Sequence, residues 1–244
     1  MTGFRIGDSR TVCYMPAYNA SSRLEGVVRD IPGDCWGFLG ALLVVDDGSS
    51  DGTADLASGL RAEFPSIVVV SHRVNMGYGA AQKTAFAWAL DNRFDAAVML
   101  HSDGQYPPAL LRDMLKPLEA GADVVGGSRT LHGGMREGGM SIARYCGTIW
   151  LNALENLVLR QSLTSYHSGY KAYGRRALEK IPWKRYSDTF NFDSEMLVGA
   201  VRAGLGIAEV PIPTIHGKGY SSLKPIPYGL SVLRTLLRYA LGRI

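Results

Sequence analysis

Two short apolar runs in this chain each end in an acidic, glycine-containing turn. Leu42-Leu43-Val44-Val45 runs into Asp46-Asp47-Gly48-Ser49-Ser50-Asp51-Gly52-Thr53, and Ala96-Ala97-Val98-Met99-Leu100 runs into His101-Ser102-Asp103-Gly104-Gln105. Runs of this length and composition, bounded by turns, predict buried strands of a parallel sheet. In open α/β sheets ligands sit just outside the carboxyl ends of the strands. Carboxylates gathered at that edge suit a nucleotide together with a hard metal ion.

Strand and helix signals alternate over most of the length. Strands are expected at 11–14, 39–45, 67–71, 96–100 and 123–126, with two more at 168–173 and 206–213. Helices are expected at 21–31, opened by serines able to cap it, after Asp51-Gly52-Thr53, after Asn75-Met76-Gly77-Tyr78-Gly79, from Pro107-Pro108, at 140–159 and at 193–203. This order predicts an α/β chain with a mostly parallel, Rossmann-like sheet and helices on both faces. It forms one domain over 1–225, followed by a basic amphipathic helix over 226–244. Residues 130–139 carry four glycines and no apolar periodicity. They read as a mobile loop of the kind that closes over a substrate, or as an incidental surface loop.

At 244 residues and 46% hydrophobic the chain can bury a substantial core. Its net charge of +4 suits anionic ligands or a lipid surface, and equally a plain solvated surface. No lysine and arginine block stands out, which argues against nucleic acid as a partner. Cys13, Cys35 and Cys146 are widely spaced without a CxxC, against a disulfide framework or a zinc site and in favour of a reducing, cytoplasmic setting. The first ten residues lack an apolar signal-peptide region, and the longest apolar runs are too short to span a bilayer. In the tail Leu230, Leu233, Leu237 and Leu241 fall at helical spacing, with Arg234, Arg238 and Arg243 elsewhere around the helix. Such a helix suits peripheral contact with the inner face of a membrane, or packing of its leucine stripe on the domain or on a second subunit in a homo-oligomer.

A bound nucleoside diphosphate-sugar needs the charge of its diphosphate neutralised before that group departs. Asp103 and Gln105 offer oxygen ligands to Mg²⁺ or Mn²⁺, and Gly104 lets the backbone bend between them. Taken in order, Met15-Pro16-Ala17-Tyr18-Asn19, VVDDGSSDGT, NMGYGAAQKTA, HSDGQYPP, GGSR, SGYKAYGRRAL, FDSEM and EVPIP resemble a family 2 glycosyltransferase with the GT-A fold. The nearest likeness is to the single-domain, non-processive branch that includes dolichyl- and polyprenyl-phosphate sugar synthases, and it runs from about residue 11 to about residue 225.

The resemblance implies roles for particular residues. Pro16, Ala17, Tyr18 and Asp47 would line the nucleoside pocket, with Asp46 close by and Ser102 on the donor side. Asp103 would be the main metal ligand, supported by Gln105, with His216 as a further ligand from the C-terminal loop. Arg129, Arg144 and Lys218 would meet phosphate oxygens, and Ser168 to Lys171 would form part of the acceptor wall. Transfer would invert the anomeric carbon, with Asp193 as general base and Glu195 as the second candidate. An acceptor phosphate, already anionic, would not need the base.

Three positions depart from the family pattern. His101 stands where the usual DxD has its first carboxylate, Ala20 where glutamate is frequent, and Ser165 where relatives are often acidic. Imidazole suits Mn²⁺ better than Mg²⁺. His72, His132 and His167 belong to no motif, and no GxGxxG, Walker A, GxSxG or HExxH sequence occurs. Two other functions compete: a non-catalytic nucleotide-sugar binding subunit, suggested by His101, and a sugar nucleotidyltransferase, opposed by Met15 to Asn19 in place of a glycine-rich basic loop. For the acceptor, a lipid phosphate competes with a soluble saccharide or natural product.

Overall fold

The fold is that of a computed structural model describing residues 4–6, 10–131, 142–213 and 225–243. Its sheet contains β1 (Thr11–Ala17), β2 (Leu39–Asp46), β3 (Ile67–Ser71), β4 (Ala96–Met99), β5 (Val124–Ser128), β6 (Lys171–Gly174) and β7 (Ile207–Pro211). The strands lie in the order β3-β2-β1-β4-β6-β5-β7. All pairings are parallel except those of β6, which runs against both β4 and β5. The expected mostly parallel sheet is therefore present, with one reversed strand near its middle.

The helices are α1 (Ser21–Arg29), α2 (Thr53–Gly59), α3 (Tyr78–Asp91), α4 (Leu111–Glu119), α5 (Ile142–Leu159), α6 (Arg175–Lys180), α7 (Phe192–Arg202) and α8 (Pro225–Ala240). Alternate strand residues feed two cores. Cys13, Met15, Leu42, Val44 and Val98 pack with Leu24 and Val28 of α1 and Leu111 and Leu115 of α4. Val12, Tyr14, Leu43, Val45, Ala97 and Met99 pack with Ala85 and Phe86 of α3 and Phe192 and Met196 of α7. A parallel sheet covered on both faces reads as continuous apolar runs, which is why these strands were visible in sequence.

Several local expectations are corrected. Ser21 and Ser22 do not cap α1; its Ser21 amide donates to Asp51 Oδ2 at 3.0 Å, and the Ala20 amide to Thr53 Oγ1 at 2.9 Å. The cap comes across from the loop after β2. The short α6 was not anticipated, and β6 begins at Lys171 rather than at 168. Cys13, Cys35 and Cys146 are all free thiols.

Two helices carry apolar residues outward. On α8 the buried side is Val232, Thr235 and Leu236, whereas Ile226, Leu230, Leu237 and Leu241 are 57–78% exposed. The leucine stripe is thus mostly the face that does not pack on the domain. On α5 the inner face is mixed: Asn152, Glu155 and Asn156 turn inward alongside Leu154, Val158 and Leu159, while Trp150 and Leu157 are 61% and 76% exposed. Asn152 and Asn156 each donate to the Leu163 carbonyl at 2.8 Å, and Asn156 accepts from the Leu163 amide and the Tyr166 hydroxyl. Among the described residues no helix is long and apolar enough to cross a membrane.

Candidate active site

Parallel strands β1, β2, β4 and β5 end on one edge, and β6, being reversed, begins there. The loops after β1, β2, β4 and β5 and the Ser168-Gly169-Tyr170 approach to β6 therefore converge. The first turn of α7 joins them through α3, as described below.

The loops after β1 and β2 are tied together. Asn19 sits at φ +49°, its amide donates to Ser49 Oγ at 2.9 Å, and its Oδ1 accepts from the Ser50 amide at 3.0 Å. Beside this junction Tyr18 is 54% exposed and offers its ring at the sheet edge, while Ala17 is buried and accepts from the Asp47 amide at 2.8 Å. The Pro16 carbonyl accepts from the buried Ser102 hydroxyl at 3.1 Å, so Ser102 fastens the β4 loop to β1.

The two adjacent aspartates do different work. Asp47 is buried and fully engaged: its Oδ1 takes the Met76 amide at 2.8 Å and His72 Nδ1 at 2.6 Å, and its Oδ2 takes the Gly77 amide at 2.8 Å. It holds the loop that leads into α3. The carboxylate of Asp46, also buried, accepts only the Ser49 amide at a long 3.3 Å among the described residues. Of the two carboxylates, that of Asp46 has the fewer internal donors among the described residues.

The glycines of NMGYGAAQKTA serve packing. A Cβ on Gly77 (φ +105°) would strike the Asp188 carbonyl oxygen, and one on Gly79 the Ser187 carbonyl oxygen. The Gly79 amide donates to Asp188 O at 2.8 Å, and Lys83 Nζ bonds Asp188 Oδ1 at 2.7 Å. This close approach brings α7 to the site. There Asp193, buried, accepts from the Tyr78 hydroxyl at 3.0 Å and from Gln82 Nε2 at 2.8 Å, and Gln82 in turn accepts from Tyr14. Glu195 is held away from this cluster by the Ser187 amide and hydroxyl, both at 2.7 Å, and by Arg238 at 3.2 Å.

On the β4 loop, the half-buried Asp103 accepts its own loop's Gln105 amide on Oδ1 at 2.9 Å. Its other oxygen has no internal donor among the described residues. His101 lies under this loop, its Nε2 3.3 Å from the Gly169 carbonyl and 3.5 Å from the Tyr78 hydroxyl. Burial pushes the His101 imidazole below its usual pKa, with Asp103 and Asp193 opposing, so the neutral form is favoured at neutral pH. The guanidinium of Arg129 stacks 4.9 Å from the Tyr106 ring centroid, and its buried Nε has no partner among the described residues. A buried cationic donor without an acceptor is the counterpart of an anionic ligand.

The segment leading into Ser168 to Lys171 is braced by Glu209, from the EVPIP motif, and by Tyr228, which no motif announced. Glu209 of β7 accepts from the Thr164 and Ser165 amides at 2.7 and 2.8 Å, fixing the segment before β6. Lys171 is fully buried and donates to the Ser168 and Tyr166 carbonyls; burial lowers its pKa, opposed by Asp193, Glu155 and Glu209. Tyr228 of α8 bonds His167 Nδ1 and Ser194 Oγ, each at 3.1 Å. His167, which no motif singled out, thereby belongs to this brace. The Arg144 side chain, His216, Lys218 and all but the start of the glycine-rich segment lie outside the described residues.

These groups fit a divalent cation of a particular kind. Among the described residues no three His, Cys, Asp or Glu side chains cluster as a metal cage. An open carboxylate oxygen on the β4 loop and an orphaned arginine just after β5 suit an ion held largely by a ligand's own phosphates, the habit of Mg²⁺ at nucleotide sites.

The architecture is that of the GT-A glycosyltransferases. Over 98% of this chain and 85% of the other, at a TM-score of 0.70 and 21% identity, it matches the crystal structure of glucosyl-3-phosphoglycerate synthase from Mycobacterium tuberculosis in complex with Mn²⁺, UDP and glucosyl-3-phosphoglycerate. The chain belongs to glycosyl transferase family 2, whose family model matches residues 13–182. It is 33% identical over 205 residues to polyprenol monophosphomannose synthase of Mycolicibacterium smegmatis, covering 83% of this chain and 76% of that one. It is 32% identical over 212 residues to undecaprenyl-phosphate mannosyltransferase of Micrococcus luteus, covering 85% and 84%. The chain is therefore a glycosyltransferase, as its ordered motifs implied.

Proposed function

We propose that this enzyme transfers a sugar from a UDP- or GDP-type nucleoside diphosphate-sugar to a polyprenyl phosphate, with inversion at the anomeric carbon. What supports the donor half is that Asp103, with one free oxygen, and Arg129, with its buried unpartnered Nε, lie on the same strand-end edge. The names of the two mannosyltransferase relatives support the acceptor half.

In this reading Tyr18 stacks on the nucleobase and Asp46 accepts a hydrogen bond from the nucleoside, while Asp47 keeps the pocket's wall in place. Arg129, braced on Tyr106, takes the negative charge that develops on the departing diphosphate. Mn²⁺ or Mg²⁺, when bound, would be held by Asp103 with Gln105 and would add neutralisation of that same charge. An acceptor phosphate oxygen displaces the diphosphate from the opposite face of the sugar. A monoprotonated acceptor gives its proton to Asp193, which Tyr78 and Gln82 hold in one orientation; a dianionic acceptor needs no base. Glu195, engaged with Ser187 and Arg238, serves structure.

The acceptor resides in a bilayer, and the outward apolar faces of α5 and α8 suit peripheral contact with it. Exposed Arg160 and Arg234 next to those faces match anionic headgroups at the inner leaflet. Flotation with phosphatidylcholine/phosphatidylglycerol vesicles tests this: Leu230→Glu with Leu237→Glu should remain soluble at the bottom of the gradient, and equal flotation refutes the docking.

The central test is nucleotide release from GDP-mannose, UDP-glucose and UDP-GlcNAc, with Mn²⁺ or Mg²⁺ and undecaprenyl phosphate. Asp103→Ala should lower turnover by roughly 10²–10³-fold without lowering the melting temperature. Wild-type transfer by that variant refutes the assignment. Donor binding by calorimetry with no release under any condition would instead mark a binding subunit.

A further inference from the structure

Three polar contacts run from α8 to the start of α7, and they bracket Asp193. Thr235 Oγ1 accepts from Asn191 Nδ2 at 3.0 Å, Tyr228 OH meets Ser194 Oγ at 3.1 Å, and Arg238 meets Glu195 Oε1 at 3.2 Å. Asn191 occupies the N-cap position of α7 without a side-chain cap bond, and Ser194 and Glu195 follow Asp193 directly. None of the three contacts uses the Asp193 carboxylate, which is left to Tyr78 and Gln82.

Tyr228 is the member that also reaches the segment before β6. Its hydroxyl also faces His167 Nδ1 at 3.1 Å, and His167 Nε2 lies 2.9 Å from Glu155 Oε2 of α5. Burial is the chief reason its phenol is pushed above its usual pKa, with Asp193, Glu155 and Tyr106 adding to the shift against the Ser194 hydrogen bond. A single hydroxyl thus joins α8, the segment before β6 and the α7 turn.

The geometry points to Tyr228 as a positioning residue, through which α8 acts as a splint that fixes the α7 turn and so aims Asp193 at the acceptor. This rests on reading Asp193 as the base. The consequence is a residue that touches neither sugar nor nucleotide, on the helix farthest along the chain from the donor motifs, yet sets the rate of transfer. Donor binding, made by the β1, β2 and β4 loops, does not depend on it.

The test is Tyr228→Phe, which removes one hydroxyl and keeps the ring. kcat should fall about tenfold, the loss of one hydrogen bond, with donor KM within about twofold of wild type. Ser194→Ala should do the same, and the double variant should be no slower than either single. A second arm is independent of turnover: amide hydrogen exchange at Asp193 to Met196 should quicken in Tyr228→Phe while α3 and α4 stay unchanged. An unchanged kcat, additive losses, or a fall in donor affinity together with the melting temperature would overturn the splint. So would unchanged exchange at the α7 turn. If Asp193→Asn transfers at the wild-type rate, the base assignment falls, and the exchange arm alone then decides whether the splint exists.

Discussion

Asp46 and Asp47 are neighbours of identical chemistry, so exchanging each for asparagine isolates what position alone does. In Asp47→Asn the side chain keeps one oxygen, but its new NH₂ must face either the Gly77 amide or the Met76 amide and His72. At least one buried amide loses its acceptor, at about 1–3 kcal/mol. The charge-assisted contact with His72 weakens as well, giving a total of roughly 2–4 kcal/mol. For a chain of this size each kcal/mol moves the melting temperature by about 2–4 °C, so a central loss near 3 kcal/mol lowers it by roughly 6–12 °C. Asp46→Asn retains an oxygen for the Ser49 amide, so its stability should change by less than about 0.5 kcal/mol, while nucleoside diphosphate affinity falls about tenfold or more. Thermal melts with and without UDP or GDP, paired with calorimetric titration, separate the two effects. The reasoning is refuted if Asp47→Asn melts like wild type while losing the nucleotide, or if Asp46→Asn is the unstable variant.

Gly169→Ala should destabilise by roughly 1–3 kcal/mol, because its Cβ would lie 2.9 Å from His101 Cε1 and nearer still to Nε2. Adding His101→Ala to the same chain should restore the melting temperature, and failure to do so refutes the clash. Burial raises the Asp51 carboxyl, but hydrogen bonds from Thr53 and Ser21 outweigh it and hold it at about 2. Its folded pKa lies below the unfolded value near 3.9, so its stabilisation is complete above about pH 4 and is lost as pH falls towards 2. Melts across that window should decline more steeply in the wild type than in Asp51→Asn; parallel curves refute it.

The strand-end edge was legible because parallel strands buried on both faces leave unbroken apolar runs, and turns rich in glycine and aspartate close them. The position of β6 was not legible. Nothing in Lys171 to Gly174 records its direction, yet its reversal is what sets Gly169 against His101. Sequence likewise could not tell which of two adjacent aspartates would be consumed by Met76 and Gly77, since that depends on where a loop 30 residues away settles. The α8 periodicity was visible, but both sides of that helix are apolar in part, so spacing alone could not say which side meets the domain. On α5 asparagines share the inner face with Leu154, Val158 and Leu159, and only their bonds to Leu163 reveal why they turn inward. Tyr228 and Ser194 carried no signal, because a lone hydroxyl has none until its partner is placed.

The reversed strand also governs the order in which the sheet can close. β5 has two neighbours, β6 and β7, and both are made after it. As the polypeptide leaves the ribosome, β1 to β4 can assemble early, but the open flank of β4 waits for Lys171–Gly174, more than 70 residues further on. Until then that flank offers bare amides and carbonyls to any passing strand. Synthesis of residues 100–170 is accordingly the stage at which the β4 edge still lacks its native partner.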